Sequence, residues 1–322
     1  MDTQAFRDGF TGKRVVVTGG GGFIGSHLAD RLDALGANVC VYDSLADSGE
    51  RYLAPGRDFV HGDIRDYERL SHAIATADFV FHHAAVASVP RCSEDPLSSL
   101  EINVQGTANV LEAVRQNGRC RLVFASSAAV YGSTAEPVLH REESPRRPTS
   151  VYGVSKSLGE DLIGSYVKSY GIEASIVRYA NVYGPRQPRY ILFDLYRKIG
   201  RADDTVELLG SGRQLRNFVY VADAVRATLA AALTSGTLTN VSTSRPSPII
   251  DAARILANLM GKPDVRFVPT NASWLGDVEY LLCANDHMKH VAGGTETSLE
   301  DGIAEFLRWI ASSSDSALPH VA

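Results

Sequence analysis

The 322 residues are 44% hydrophobic and 21% charged, with a formal net charge of −5 and four cysteines. A chain of this length buries a substantial core as one large or two closely packed domains. The acidic balance, with no basic block, argues against a nucleic-acid partner, and no run of about 18 apolar residues is present to cross a membrane.

The first residues, MDTQAFRDGFTGK, contain no apolar h-region, so a cytoplasmic protein is expected. RVVVT then reads as a strand, followed by GGGGFIGSHLAD, in which Ile24, Leu28, Leu32 and Leu35 recur at helical spacing. Glycines between a strand and a helix fit the dinucleotide fingerprint as Gly20-x-Gly22-x-x-Gly25, and its wider-spaced variant as Gly19-x-x-Gly22-x-x-Gly25. The turn is tight and the backbone must approach a pyrophosphate. The helix N-terminus then supplies free N–H groups and a partial positive charge. The strand before and the amphipathic helix after are the context this fingerprint requires.

Asp43 ends a second strand, ANVCVYD, 18 residues past Gly25. A carboxylate there accepts from both ribose hydroxyls and repels a 2′-phosphate. Its neighbours, YDSLADSG, hold no Arg or Lys, which favours NAD over NADP. DFVFHHAA, RLVFASS and EASIVRY read as further strands, apolar throughout as strands buried on both faces are. His82 and His83 lack a metal-ligand pattern and are read as strand-end packing, and the scattered cysteines as reduced packing residues. The alternation predicts a doubly wound parallel α/β sheet, a Rossmann domain, over residues 1–180.

In TSVYGVSKSLGED, Tyr152 and Lys156 stand four apart, on one helix face. A nearby ammonium and the positive nicotinamide both favour the phenolate, so Tyr152 is expected to take a hydroxyl proton as hydride leaves for NAD, with Ser127 at the strand end holding the same hydroxyl. After RYANVYGPRQ the elements shorten: a helix near residues 190–199, a strand TVELLG, helices VADAVRATLAAAL and IIDAARILANLMG, and a last helix from about 298 to 310. These predict a smaller mixed α/β C-terminal lobe over 181–312 that binds the substrate and returns segments to the main sheet. The polar tail 313–322 is expected to be loose.

TGGGGFIGSHLA, HGDIRD, HHAAVASVPRCSEDP, INVQGTANVLEA, SSAAVYG, YGVSK, RYANVYGPRQ and LLGSGRQLRNFVYVADAV together resemble the extended short-chain dehydrogenase/reductases of the NAD-dependent nucleotide-sugar epimerase/dehydratase family, from about residue 14 to 310. The resemblance implies catalysis by Ser127, Tyr152 and Lys156. It implies NAD held by Gly19, Gly22, Phe23, Ile24, Gly25, Asp43, Ala84 and Ala85, with Asp63 and Ile64 flanking the adenine and Tyr152 and Lys156 also touching the cofactor. It implies a nucleotide-diphospho-sugar bound by Ser88, Ser127, Asn181, Arg216, Trp274 and Asp277, and a homodimer paired through helices near 97–117 and 151–170. Many relatives carry an arginine where Trp274 stands before Gly276-Asp277; Trp274 either stacks on a base or sugar or packs.

Dehydratases of the family carry Asp-Glu directly after the catalytic Ser/Thr, and related decarboxylases commonly a Glu at the second place. This chain has Ala128 and Ala129, neither of which transfers a proton. The expected reaction is therefore inversion at C4 through a transient 4-keto sugar. A dehydratase or decarboxylase using the same C4 oxidation is the alternative, and a non-catalytic NAD-sensing module the alternative of another class.

Overall fold

The structure, a computed structural model, describes residues 1–46, 49–187, 189–272, 278–294 and 296–313. Its centre is a seven-stranded parallel sheet. From one edge to the other the strands are Leu238–Val241, Glu173–Tyr179, Arg121–Ser127, Phe79–His82, Arg14–Thr18, Asn38–Asp43 and Asp58–His61. The chain builds outward from Arg14–Thr18 in one direction, then returns to build outward on its other side. That reversal opens a crevice beyond the carboxyl ends of the strands, where ligands of such sheets bind.

The five strands read from the sequence are all present, and each buries most of its residues. Two apolar layers cover the sheet. One is built on Val15, Val17, Leu28, Leu32 and Phe81, the other on Val16, Tyr42, Val110, Leu111, Leu122 and Phe124. This division follows the pleat, because neighbouring residues of a strand face opposite sides.

Segments of the second half of the chain form a second lobe with its own apolar cluster, in which Leu192, Phe193 and Leu195 pack with Val206, Leu208, Leu256, Ile303 and Phe306, while the helix Val221–Leu233 joins the first layer over the main sheet. Its short sheets include Leu215–Arg216 beside Tyr280–Cys283, and Arg266–Pro269 beside Thr205–Leu208. The strand Leu238–Val241 leaves this half of the chain to pair with Glu173–Tyr179 at the edge of the main sheet.

The helix Val151–Tyr170 lies against the strand Arg121–Ser127. Ser150 caps it by accepting from the Gly153 N–H at 3.1 Å, and Gly171 ends it at φ +68°. Two glycines let it sit close. A Cβ on Gly153 would lie 2.6 Å from the Ala129 carbonyl oxygen, and one on Gly159 would lie 2.7 Å from the Phe124 ring.

Candidate active site

One cavity of about 1100 Å³ runs from the glycine turn, over the strand ends, to the second lobe. At its first end Gly19 has φ +73°, and a Cβ there would meet the Ala84 backbone nitrogen at 2.5 Å. A Cβ on Gly25 would collide with the Gly19 carbonyl oxygen, so only glycine closes this turn. The helix Phe23–Ala34 starts at Gly22 with no side-chain cap. Its first N–H groups are thus left for an anion, and the cradle fits a pyrophosphate. Asp43 faces the cavity while its carboxylate accepts from the Gly21 N–H at 2.9 Å and the Leu45 N–H at 2.7 Å. It is therefore fixed in orientation before any ribose arrives. Asp63, Ile64, Ala84 and Ala85 line the same end. Asp63 is paired with Arg65 at 2.6 Å, which holds its carboxyl below the usual range.

The motif INVQGT has a structural role. Buried Asn103 accepts from the Val86 N–H at 2.8 Å and donates to the Val86 carbonyl at 3.1 Å and to Ser155 at 3.0 Å. It thereby ties the loop carrying Ala84, Ala85 and Ser88 to the helix carrying Tyr152 and Lys156. Ser88 lines the cavity and caps the short helix Val89–Glu94.

At the strand end the two serines diverge, as the pleat requires. Ser126 donates to Glu160 Oε1 at 2.5 Å, whereas Ser127 lines the cavity with Tyr152 and its hydroxyl pulls that phenol's pKa downward. Ser127 also accepts from the Ala129 N–H at 3.2 Å, capping the 3₁₀ turn Ala128–Tyr131. The two alanines differ as well. Ala128 is fully buried among Val130, Tyr131 and Cys283, and only Ala129 lines the cavity.

Lys156 is 4% exposed, with its Nζ 5.0 Å from the Phe124 ring centroid and 5.9 Å from that of Tyr152. Burial lowers its pKa to about 8, against upward pulls from Cys92 and Glu160. Lys156 and a positive nicotinamide are together expected to favour the Tyr152 phenolate; the protein by itself holds the phenol above its ordinary value. Burial raises it, the Tyr190 phenol raises it further, and the Ser127 hydroxyl opposes both only in part. Enclosure in protein outweighs an ammonium held 5.9 Å from the ring centroid. Forming the phenolate therefore needs positive charge beyond that of Lys156.

Beside this pair, His83 shares a 3.0 Å hydrogen bond with the Tyr179 hydroxyl, and burial with the nearby Lys156 charge lowers its pKa to about 3. His82 is buried between Thr18 and Thr107, at 2.8 and 3.0 Å, which is the strand-end packing expected of it. All four cysteines are free and buried, and no cluster of metal-ligating side chains occurs among the described residues.

At the far end, Asn181 lines the cavity with its Oδ1 buried and unpartnered. Arg216 is 4% exposed, and its guanidinium donates to the carbonyls of Leu215, Val278 and Glu279 at 2.9, 2.5 and 3.2 Å. Those bonds hold the fork against a wall of the cavity. Trp274 and Asp277, expected at the substrate, lie outside the described residues. Tyr190, Arg91, Arg189 and Arg197 also line the cavity and were not foreseen. Tyr190, Arg189 and Arg197 follow GPRQ, whereas Arg91 lies in HHAAVASVPRCSEDP.

Residues 15–241 match the family described as the NAD dependent epimerase/dehydratase family, and the chain belongs to it. It is 33% identical to the UDP-glucose 4-epimerase of Mycolicibacterium smegmatis, over 92% of this chain and 98% of that protein. It is also 37% identical to the dTDP-glucose 4,6-dehydratase of the same organism, over 65% of this chain and 66% of that protein. The fold is similar to the crystal structure of the UDP-glucose 4-epimerase of Thermus thermophilus in complex with NAD. That similarity has a TM-score of 0.87 and 32% identity, over 94% of this chain and all of that one. The protein is thus an enzyme family member that uses NAD in chemistry at C4 of a nucleotide sugar.

The fixed Asp43 carboxylate makes a prediction about cofactor choice. NAD should bind tighter than NADP by roughly tenfold or more, about 1.4 kcal/mol, in parallel fluorescence titrations. Equal or tighter NADP binding would contradict the placement of Asp43 against the ribose.

Proposed function

We propose that this protein is a nucleotide-diphospho-sugar 4-epimerase. Bound NAD, held by the glycine turn, Asp43, Asp63, Ile64 and the Ala84–Ala85 strand end, would supply the hydride acceptor and donor for C4. The chain's own residues manage the proton. Ser127 and Tyr152, which line the cavity together, converge on the C4 hydroxyl; Tyr152 takes its proton and later returns one. Lys156 holds positive charge next to the phenol as that proton leaves. Arg216 and Asn181 anchor the diphosphate, and arginine suits it with a charged fork of donors.

The observation that carries inversion rather than elimination is Ala129. It is the residue after Ser127–Ala128 that faces the cavity, and a methyl group neither takes nor gives a proton. Among the described residues, the carboxylates lining the cavity are Asp43, Asp63, Asp194 and Glu207. The first two stand at the strand ends beside the glycine turn and the other two in the second lobe. None of these carboxylates directly follows Ser127 on the chain, and return of the hydride is the course this arrangement favours for the 4-keto sugar. It turns about its diphosphate anchor and is reduced on the other face. The small Ala129 side chain leaves room for that turn.

Two measurements test this reading. Tyr152→Phe should retain NAD binding and lose about 10²–10⁴-fold in turnover, the usual contribution of a general acid–base group; near-normal turnover would remove Tyr152 from the role. A panel of nucleotide sugars turned over in D₂O and followed by NMR should give a C4-inverted product with no deuterium at C5. Deuterium at C5 or C6, or loss of water from the sugar, would instead establish a dehydratase.

A further inference from the structure

The segment after Gly184-Pro185 holds two non-glycine residues with positive φ, Arg186 at +66° and Tyr190 at +79°. Arg186 has a structural explanation. Its guanidinium donates to Asp30 Oδ2 at 2.6 Å and lies 5.7 Å from the Tyr52 ring centroid, which ties the segment to the helix behind the glycine turn. His27 adds a 2.8 Å bond to the Pro185 carbonyl. Tyr190 is a different case. With ψ −179° it occupies a region of backbone space that is essentially reserved for glycine. It precedes the helix Ile191–Arg201 without capping it through its side chain, and it remains 40% exposed rather than joining the core.

What the strained backbone achieves is the placement of the ring. Tyr190 lines the cavity together with Ser88, Ser127 and Tyr152. Its hydroxyl donates to the Ala87 carbonyl at 3.3 Å, one residue before Ser88. It is also close enough to Tyr152 to be, after burial, the largest influence raising that phenol's pKa. Strain at a bulky residue persists only where the surroundings impose it, and it gathers at ligand clamps.

The helix that Tyr190 begins gives the cavity a direction. At 1.5 Å per residue, Arg197 follows Tyr190 by about 10 Å. Arg197 also lines the cavity, and its neighbour Lys198 bonds the Glu207 carbonyl at 3.1 Å, beside the strand end from which the chain leads to Arg216. One end of the helix therefore offers an aromatic wall next to the Ser127–Tyr152 pair, and the other offers cations. A sugar carried on a diphosphate has the matching order of groups.

We propose that Tyr190 is a specificity-determining residue of the sugar pocket, the aromatic wall against which the hexose ring of the nucleotide-diphospho-sugar seats. This rests on the reading of the site given under Proposed function. The ring supplies rigid apolar contact at low entropy cost for the C–H face of the sugar, and the hydroxyl, braced on Ala87, fixes the ring's angle. A contact made equally to substrate and transition state appears in KM rather than kcat.

The test compares Tyr190→Phe and Tyr190→Gly with the unaltered, NAD-loaded protein, using UDP-glucose and UDP-galactose as probes. Tyr190→Gly should raise KM about tenfold or more, with kcat within roughly threefold and NAD affinity unchanged. Its thermal midpoint should not fall, because glycine adopts this backbone without strain. Tyr190→Phe should lie between the two. A KM unchanged in both variants, or a lower midpoint with weakened NAD binding and unchanged KM, would make Tyr190 merely structural and overturn the proposal. The parent reading fails differently. If the unaltered protein turns over no UDP-, GDP- or dTDP-sugar, both are removed before any variant is compared.

Discussion

The close seating of one helix on one strand governs the rest of the site. The helix Val151–Tyr170 carries Tyr152, Lys156 and Glu160 at successive turns of one face, and the strand Arg121–Ser127 carries their partners. Gly153 and Gly159 remove the side chains that would hold the two apart, leaving the helix on the Ala129 carbonyl and the Phe124 ring. A buried network then fixes the register. Glu160 receives the Ser126 hydroxyl at 2.5 Å and the Arg178 guanidinium at 2.9 and 2.6 Å, while Arg178 also reaches the Tyr131 hydroxyl at 2.8 Å and the Glu142 carbonyl at 2.9 Å. A buried ion pair is costly unless its remaining donors and acceptors are satisfied. Here several of them are, so the pair serves to hold the strand end and helix at one separation. With Ser126 committed to that network, the next residue on the strand presents its hydroxyl to Tyr152.

Charge along the cavity follows from this frame. Lys156 is enclosed beneath Tyr152 with its pKa lowered to about 8, and the Tyr152 phenol is held above its ordinary value. Burial thus favours the neutral form of both groups. A positive charge brought into the cavity reverses that balance at the phenol. The glycine turn, the uncapped helix start and the fixed Asp43 carboxylate define where such a ligand lies.

Much of this was legible in the sequence, and the gaps have physical causes. The strands buried on both faces announce themselves as apolar runs, and the glycine turn, Asp43 and the Tyr152–Lys156 spacing are local patterns. The two edge strands gave no such signal. Asp58–His61 is half exposed, and Leu238–Val241 is buried with Thr239 and Asn240 inside because Asn240 is satisfied by the Tyr131 hydroxyl at 2.6 Å and by Glu142 at 2.8 Å. The Glu160–Arg178 pair joins residues on different elements, which no spacing rule connects. The raised phenol pKa is likewise a property of enclosure, invisible to a pattern that sees only an ammonium four residues away. Tyr190 needed its dihedral angles before it could be distinguished from the other tyrosines of the chain.

The central claim is that a hydrogen leaves C4 and comes back to C4 within one cavity, with Ser127, Tyr152 and Lys156 managing the proton. A nucleotide sugar labelled with deuterium at C4, turned over by the NAD-loaded protein in ordinary water and analysed by NMR, tests it most directly. The account predicts that the inverted product carries the deuterium at C4 in full. Deuterium found at C6 of a deoxy product, or lost to the solvent, would contradict it.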